Sequence, residues 1–454
     1  MDELTKNNVL TAEITGYSSS GDGIARVNGR AVFVKGAIRG ERCRIKILKA
    51  NKTAVYAKTD EIIASSPERR EPGCCSFSKC GGCHLMHMSY EEELYMKRQR
   101  VSDTLRRIGG IDIPVDEIVR ADSTVNYRNK VIYAVGGSAG APVLGFYRTR
   151  SHDIVPIDSC VLQPEAAQAA AVAVLRWMKN YSVEPYDERR HLGLVRHIFI
   201  RHGFATNQTA VCIVANGRFL PNTGALVDEI RAQCHSVRSI MLNCNTKNGN
   251  TVLSGTFERL WGSDTIEDTL CGLKFRLSPR SFYQINSAQA EKLYNKAAHM
   301  AGLNGGETVL DLYCGTGTIT LHMARRAGAA IGAEIVEDAV KDAHMNAENN
   351  GINNVRFITA DASQAALELE IDGVKPEVVV VDPPRKGLAP DVIETICRLA
   401  PEKVVYVSCD PATLARDLKL FGELSYVTRK VTPVDMFPRC AHVECVVLMS
   451  RTEK

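Results

Sequence analysis

From about residue 305 the chain alternates short apolar runs with helical stretches. The runs are TVLDLY (308–313), AAIGAE (329–334), VRFITAD (355–361), EVVVVD (377–382) and KVVYVS (403–408). A short continuous apolar run suits a strand buried on both faces. Such strands separated by helices build a parallel sheet covered on both sides, an α/β architecture. Ligands of these sheets bind at the carboxyl ends of the strands. The residues that follow each run are therefore the ones that carry function.

The first run leads into Asp311-Leu312-Tyr313-Cys314-Gly315-Thr316-Gly317-Thr318. Gly315 and Gly317 let backbone approach a ligand closely. Position 320 is Thr, so the dinucleotide fingerprint is absent and no pyrophosphate is required. Glu334 closes the second run nineteen residues after Gly315, where an acid can accept both hydroxyls of a ribose. Asp361 closes the third and can take an exocyclic amine or ring edge. A nucleoside cofactor without a diphosphate points to S-adenosylmethionine.

The fourth run ends in Asp382-Pro383-Pro384-Arg385-Lys386-Gly387. The prolines stiffen this loop and remove backbone donors. Arg385 and Lys386 place positive charge beside the cleft, suited to a phosphate backbone. Amino-group methyltransferases also use DPP, usually followed by an aromatic residue, and Arg385 argues against them. The fifth run ends in VVYVSCDPA (404–412) and presents Cys409. That thiol has three readings: core residue, metal ligand or nucleophile. Its place at the ligand-binding edge argues against the core. Near the C-terminus, AHVECVVLMS (441–450) puts His442 and Glu444 at the start of another apolar strand. An acid there is a surface charge or a catalytic base.

The 454 residues suffice for several domains. The start, MDELTKNNVL, has no apolar core, and no run approaches the ~20 apolar residues of a membrane span. A cytoplasmic protein with no membrane partner is expected. Fifteen cysteines, an odd number spread along the chain, argue for reduced thiols rather than a disulfide framework. Residues 1–60 hold eleven Lys/Arg against six Asp/Glu, a surplus of five where the whole chain has four. That is the footprint of a polyanion binder.

Residues 8–63 alternate β-rich runs with glycine turns, and Asn28-Gly29 signals a hairpin. Five short strands suggest a small barrel of the oligonucleotide-binding type. SSPERREPG (65–73) reads as a linker. Ser89 and Glu92 form a capping box for a helix carrying Leu94, Val101, Leu105 and Ile108, stopping at Gly109-Gly110. Residues 125–275 mix strands and helices. NYRNK (126–130) and RTRSHD (148–153) add basic groups open to two readings, phosphate contacts or solvated charge.

The cysteine cluster is Cys74-x5-Cys80-Gly81-Gly82-Cys83, with Cys75 beside the first. Zinc sites prefer paired C-x2-C or added histidines, and His84 and His87 keep zinc open. The C-x3-C-x2-C spacing of radical enzymes is absent. Three cysteines need a fourth to hold a four-iron cluster. Cys75 can stand in for Cys74.

DLYCGTGT, VVVDPPRKGL, VSCDPATLARD and HVECVVLM, in this order, resemble the RNA (uracil-5-)-methyltransferases, specifically the iron–sulfur-containing 23S rRNA branch. The amino-terminal barrel resembles a TRAM domain. The resemblance covers essentially the whole chain. It implies a Rossmann-like class I methyltransferase domain from 93–125 and 276–454. It also implies a TRAM barrel over 1–62 and a central α+β iron–sulfur domain from 63–92 and 126–275. Cys409 would be the nucleophile and Glu444 the proton acceptor. S-adenosylmethionine contacts would fall on Gln284 of SFYQIN, Tyr313, Glu334 and Asp382, beside Gly315 and Asp361 from the strand-end reading. Asn286 would shape the same loop. Cys74, Cys80, Cys83 and Cys160 of VPIDSCVLQP would hold a [4Fe-4S] cluster with a structural or RNA-positioning role. The partner would be 23S rRNA, met by a monomer at a looped or single-stranded uridine.

The chemistry agrees. Carbon 5 of uracil is a poor nucleophile, and a thiolate adding at carbon 6 makes it an enolate carbon. A base must then remove the carbon-5 proton. The uracil must leave its stack, and Phe282, Tyr283 and Phe437 are possible stacking partners. Three alternatives stay open. The first is the same reaction on the tRNA T-loop, though that branch typically lacks barrel and cluster. The second is 5-methylcytidine formation, whose enzymes usually carry a Pro-Cys motif where Pro383-Pro384 stands. The third is a non-catalytic RNA-binding iron–sulfur protein.

Overall fold

The computed structural model describes residues 4–452; Asp2 and Glu3 of the charge count lie outside the described residues. The amino-terminal unit has six strands: β1 (Val9–Glu13), β2 (Gly16–Tyr17), β3 (Gly23–Val27), β4 (Arg30–Lys35), β5 (Arg42–Ala50) and β6 (Val55–Ala64). They pair in the order β1-β5-β6-β4-β3-β2. Alternating residues such as Leu10, Val32, Val34, Ile45, Ile47 and Val55 fill its core. The VLTAEITGY run is two strands, not one, because Gly16-Tyr17 turns away to pair with Gly23-Ile24. Asn28 and Gly29 both take positive φ in the expected β3–β4 hairpin.

The next helix, α1 (Tyr90–Thr104), is capped by Ser89, whose side chain accepts from the Glu92 N–H. Only half of the capping box forms. The Glu92 carboxylate instead accepts from Arg39 (2.8 Å) and Tyr17 Oη (2.7 Å), joining helix to barrel. The α-helix ends four residues before Ile108, which lies in a terminal π turn (Leu105–Gly109) and is exposed. Its buried face carries charges as well as Met96 and Val101: Lys97 bonds Glu93 (2.7 Å) and Asp435 (2.6 Å) with no exposure.

The central sheet comprises β7 (Lys130–Ser138), β8 (Ala141–Tyr147), β9 (Ile154–Pro156), β10 (Val195–Gly203), β11 (Gln208–Ala215), β12 (Val237–Cys244) and β13 (Thr256–Gly262). It is covered by α2 (Glu165–Asn180) and α3 (Thr223–Gln233) around Trp177, Ile198 and Ile213. The hairpin β14 (Ile266–Leu270) and β15 (Leu273–Leu277) falls within the expected central domain by sequence. It nevertheless packs Phe275 and Leu277 into the next core, with α4 (Ser287–Ala301).

The five apolar runs are β16 (Thr308–Asp311), β17 (Ala329–Glu334), β18 (Val355–Thr359), β19 (Val378–Val381) and β20 (Lys403–Ser408), all parallel. Between and after them run α5 (Thr318–Ala324), α6 (Glu337–Asn349), α7 (Ala362–Ile371), α8 (Pro390–Leu399) and α9 (Pro411–Glu423). β21 (Tyr426–Val434) and β22 (Glu444–Arg451) complete the order β18-β17-β16-β19-β20-β22-β21. β22 lies antiparallel to both of its neighbours. Chain order reverses between β16 and β19, which opens the ligand crevice there. Val101, Leu105 and Val115 join the core under α8 and α9, so α1 packs on this unit from far away in sequence. No helix among the described residues is long and apolar enough to cross a membrane.

Candidate active site

The crevice is lined by strand ends. Asp311 is buried at the end of β16, where its Oδ2 accepts from Thr320 Oγ1 (2.7 Å) and fixes the loop that follows. In that loop Gly315 has φ +55° and open space where a side chain would point. Its N–H donates to Glu334 Oε2 (3.2 Å), so the acid of β17 braces the glycine turn. Asp361 is exposed and caps α7 through Oδ1, and among the described residues Oδ2 has no protein partner. Tyr313 and Asp382 are half-buried at the ends of the neighbouring strands β16 and β19. Burial and the charge of Asp311 push Asp382 up to about 7. Gln284 is buried, its backbone carbonyl accepting from Asn129 Nδ2 (2.7 Å). Asn286 caps α4 and donates to Met436 O (3.1 Å), which shapes the loop.

Ser408 pairs with Cys445 in the β20–β22 ladder, so Cys409 and Glu444 lie side by side one step beyond it. The turn after Cys409 is fixed locally. Asp410 caps α9 by accepting from the Ala412 N–H (2.8 Å), and Pro411 opens the helix. The thiol is half-buried. Burial, then the charges of Glu444 and Asp382, push it up to about 12, against an opposing pull from Arg385. Glu444 is buried and pushed up to about 8, by burial and then Asp382, again opposed by Arg385. Three acids thus crowd one end of the cleft, with Arg385 as the cation acting on two of them. His442 is pushed down to about 4, first by burial, and stays neutral.

Of the three aromatic residues, Tyr283 is buried against Phe275 and bonds Asp268, so it belongs to the core. Phe282 is 64% exposed. Phe437 lies edge-on to His442 with ring centres 6.1 Å apart.

Cys74, Cys80, Cys83 and Cys160 line one cavity of about 60 Å³, together with Phe77 and Arg128. Burial raises the thiols of Cys80, Cys83 and Cys160 above the ordinary range. Cys75 is exposed and lies off the cavity wall. His84 and His87 are also off that wall. Among the described residues no three His, Cys, Asp or Glu side chains converge on a point where a single ion would bind. Four thiols around a shared volume fit a bulkier group. Arg128 of NYRNK faces this cavity and donates to Cys440 Sγ (3.5 Å), so it is no exposed phosphate contact; Lys130 is half-buried too. Arg148 and Arg150 remain exposed.

On the amino-terminal sheet, Lys46, Lys58 and Lys35 are direct partners across β5, β6 and β4. The adjacent row on the same face holds Tyr56 stacked on Phe33 at 5.6 Å. Among the described residues none of these three lysines has a carboxylate within ion-pair range.

Comparison with known proteins identifies the family and the fold. Residues 263–452 match the tRNA (uracil-5-)-methyltransferase family, and residues 3–59 match the TRAM domain. An uncharacterized RNA methyltransferase of Clostridium tetani is 44% identical over 98% of this chain and 97% of its own. The chain belongs to the RNA (uracil-5-)-methyltransferase family. A second relative, an uncharacterized RNA methyltransferase of Clostridium acetobutylicum, is 42% identical over 99% of both chains. Among solved structures, the Pyrococcus abyssi tRNA (uracil-54, C5)-methyltransferase in complex with S-adenosyl-L-homocysteine superposes with a TM-score of 0.79. It is 27% identical and covers 97% of this chain and 99% of its own. This methyltransferase therefore has a class I fold with a TRAM domain in front. In the segment that leads into Glu444, sequence reasoning named Phe437 but passed over Arg439 and Cys440. Its only sequence signal was nearness to HVE.

Proposed function

We propose that this methyltransferase converts a uridine of 23S rRNA to 5-methyluridine, with Cys409 as nucleophile and Glu444 as proton acceptor. The observation that carries the reading is the pairing of a half-buried thiol and a buried carboxyl at adjoining strand ends, beside Asp382. S-adenosylmethionine supplies an electrophilic methyl group. Gln284, Tyr313, Glu334 and Asp382 are the residues that would hold it, with Gly315 giving backbone access and Asp361 a free carboxylate oxygen.

Cys409 sulfur bonds carbon 6 of the uracil, and the carbon 5–carbon 6 electron pair moves toward the carbon-4 oxygen. Carbon 5 then attacks the methyl group, the carbon-4 carbonyl re-forms, and S-adenosylhomocysteine departs as the leaving group. Glu444 removes the carbon-5 proton, the double bond re-forms, and the thiolate leaves. Both groups are protonated at neutral pH in the free site, since their values lie near 12 and 8. A cationic cosubstrate in the same crevice lowers both, as Arg385 already does.

The four cavity thiols fit a [4Fe-4S] cluster, with Cys74 rather than Cys75 as the first ligand. The fit rests on four cysteines around one cavity. The lysine row and the Phe33–Tyr56 stack suit a single strand, with lysines on phosphates and rings on bases. RNA contact is thus assigned to 1–62 and the cluster to the central unit. Catalysis falls to 93–125 and 276–454, with the β14–β15 hairpin packed into the same core, acting as a monomer in the cytoplasm.

The cysteine cavity favours 23S rRNA, because the cluster is the mark of the branch that the sequence resembles. A second reading, the tRNA T-loop, is favoured by the Pyrococcus abyssi match, which spans the barrel as well. The barrel alone therefore does not separate the two. Incubation with radiolabelled S-adenosylmethionine, unmodified 23S rRNA and unmodified tRNA tests this. Label in 23S rRNA is expected; label only in tRNA overturns the rRNA assignment.

A further inference from the structure

The segment between β21 and β22 delivers Glu444, and it is held from outside its own domain. Arg439 has φ +69°, a left-handed backbone that a non-glycine residue keeps only when its surroundings enforce it. Its carbonyl accepts two N–H groups, from His84 (2.8 Å) and Leu85 (3.1 Å), immediately after Cys83. The carbonyl of the preceding Pro438 accepts from Tyr127 Oη (2.9 Å). The following Cys440 is buried, donates from Sγ to Gly82 O (3.1 Å) and accepts from Arg128 Nη2. Three consecutive residues are thus each tied to the cysteine-bearing unit. Two further bonds come from α1: Glu93 Oε1 accepts from the Arg439 N–H (2.7 Å), and Arg100 donates to Ala441 O (2.8 Å).

Glu444 is the first residue of β22, so the ladder fixes it only on its C-terminal side. What fixes the other side is the gripped segment four residues upstream. A general base works only within hydrogen-bond reach of its proton, and a displacement of about 1 Å is costly. We propose that residues 82–85 and Tyr127 of the cysteine-bearing unit position Glu444 for proton removal by gripping 438–440. Tyr127 and Cys440 are positioning residues and touch no reacting atom. The inference rests on the reading of Glu444 as proton acceptor.

The two steps of the reaction separate the outcomes. Thiol addition and methyl transfer do not need Glu444, whereas elimination does. Loosening the grip therefore lets the methylated protein–RNA adduct accumulate. The test uses full-length protein with substrate RNA, either rRNA or tRNA according to which accepts methyl. It measures SDS-stable methylated adduct and tritium release from carbon-5-labelled uridine. Tyr127→Phe and Cys440→Ala are made singly and together, with Glu444→Gln alongside. The double variant is expected to release tritium about tenfold more slowly at saturating RNA, part of the 10²–10⁴ that a base contributes. Its adduct fraction rises while the KM for RNA stays unchanged. Should Glu444→Gln accumulate adduct while the double variant partitions like the parent, the grip is refuted and the base assignment stands. No adduct in Glu444→Gln overturns the base assignment and the grip with it. If the double variant does not fold, Tyr127→Phe alone decides by the same partition.

Discussion

Cys409 and Glu444 stand next to each other, one step past the Ser408–Cys445 pair of two antiparallel strands, and the charge of Glu444 raises the proton affinity of the Cys409 thiol. Glu444 illustrates the cost. Its folded value of about 8 lies above the ordinary 4.5. Below pH 4.5 the carboxyl is protonated whether the chain is folded or not, and no penalty exists. Between 4.5 and 8 the folded state binds the extra proton, so stability falls as pH rises, at about 1.4 kcal/mol per unit of pKa difference. Glu444→Gln removes a penalty of a few kcal/mol. Its melting temperature should exceed that of the parent at pH 8 and match it at pH 4.5.

Lys97 holds two buried carboxylates, Glu93 and Asp435, and Tyr90 Oη reaches the second at 2.7 Å. The two acids keep the lysine charged, raising its proton affinity against the effect of burial. Lys97→Met takes the buried ammonium from both acids, leaving Glu93 with Arg439 and Asp435 with the Tyr90 hydroxyl, and should cost about 3–5 kcal/mol. Denaturant unfolding measures it, and a loss under 1 kcal/mol would show that the triad contributes little.

The lysine row predicts a salt signature. Replacing Lys35, Lys46 and Lys58 by Gln should lower the slope of log affinity against log salt by about 2, since a single strand contributes about 0.7 per phosphate contact. Filter binding over a salt series reads this. Tyr56→Ala should weaken binding at all salt concentrations with the slope unchanged.

Iron content distinguishes the two adjacent cysteines. After anaerobic reconstitution the parent and Cys75→Ser should each carry about four irons per chain. Cys74→Ser, which alters the cavity wall, should carry fewer. Equal loss in both variants would remove the assignment of Cys74.

The catalytic sheet was legible because parallel strands buried on both faces leave nothing but apolar residues to read, as VVVV of β19 demonstrates. Cys409 was legible by position, since it follows such a run. The Lys97–Glu93–Asp435 triad was not. A Glu and Lys spaced i, i+4 usually mark a solvated helix face, and the partner that buries them lies 338 residues away. Arg128 misled for the same reason: an arginine in a polar loop gave no hint that it faces a wall of thiols. The hairpin of β14 and β15 alternates like any half-exposed strand pair, and only tertiary packing shows which core takes Phe275. The strained Arg439 carries no local signal at all, because its left-handed backbone is imposed by His84 and Leu85.

The central claim is that Cys409 attacks carbon 6 and that elimination then needs the carbon-5 proton. RNA carrying 5-fluorouridine has no such proton to remove. Incubated with S-adenosylmethionine and this RNA, the parent protein should form a denaturation-stable complex. Peptide mass spectrometry of it should place the nucleotide on Cys409, and Cys409→Ala should form none. A Cys409→Ala variant that still traps the RNA, or a nucleotide found on any other cysteine, would contradict the account.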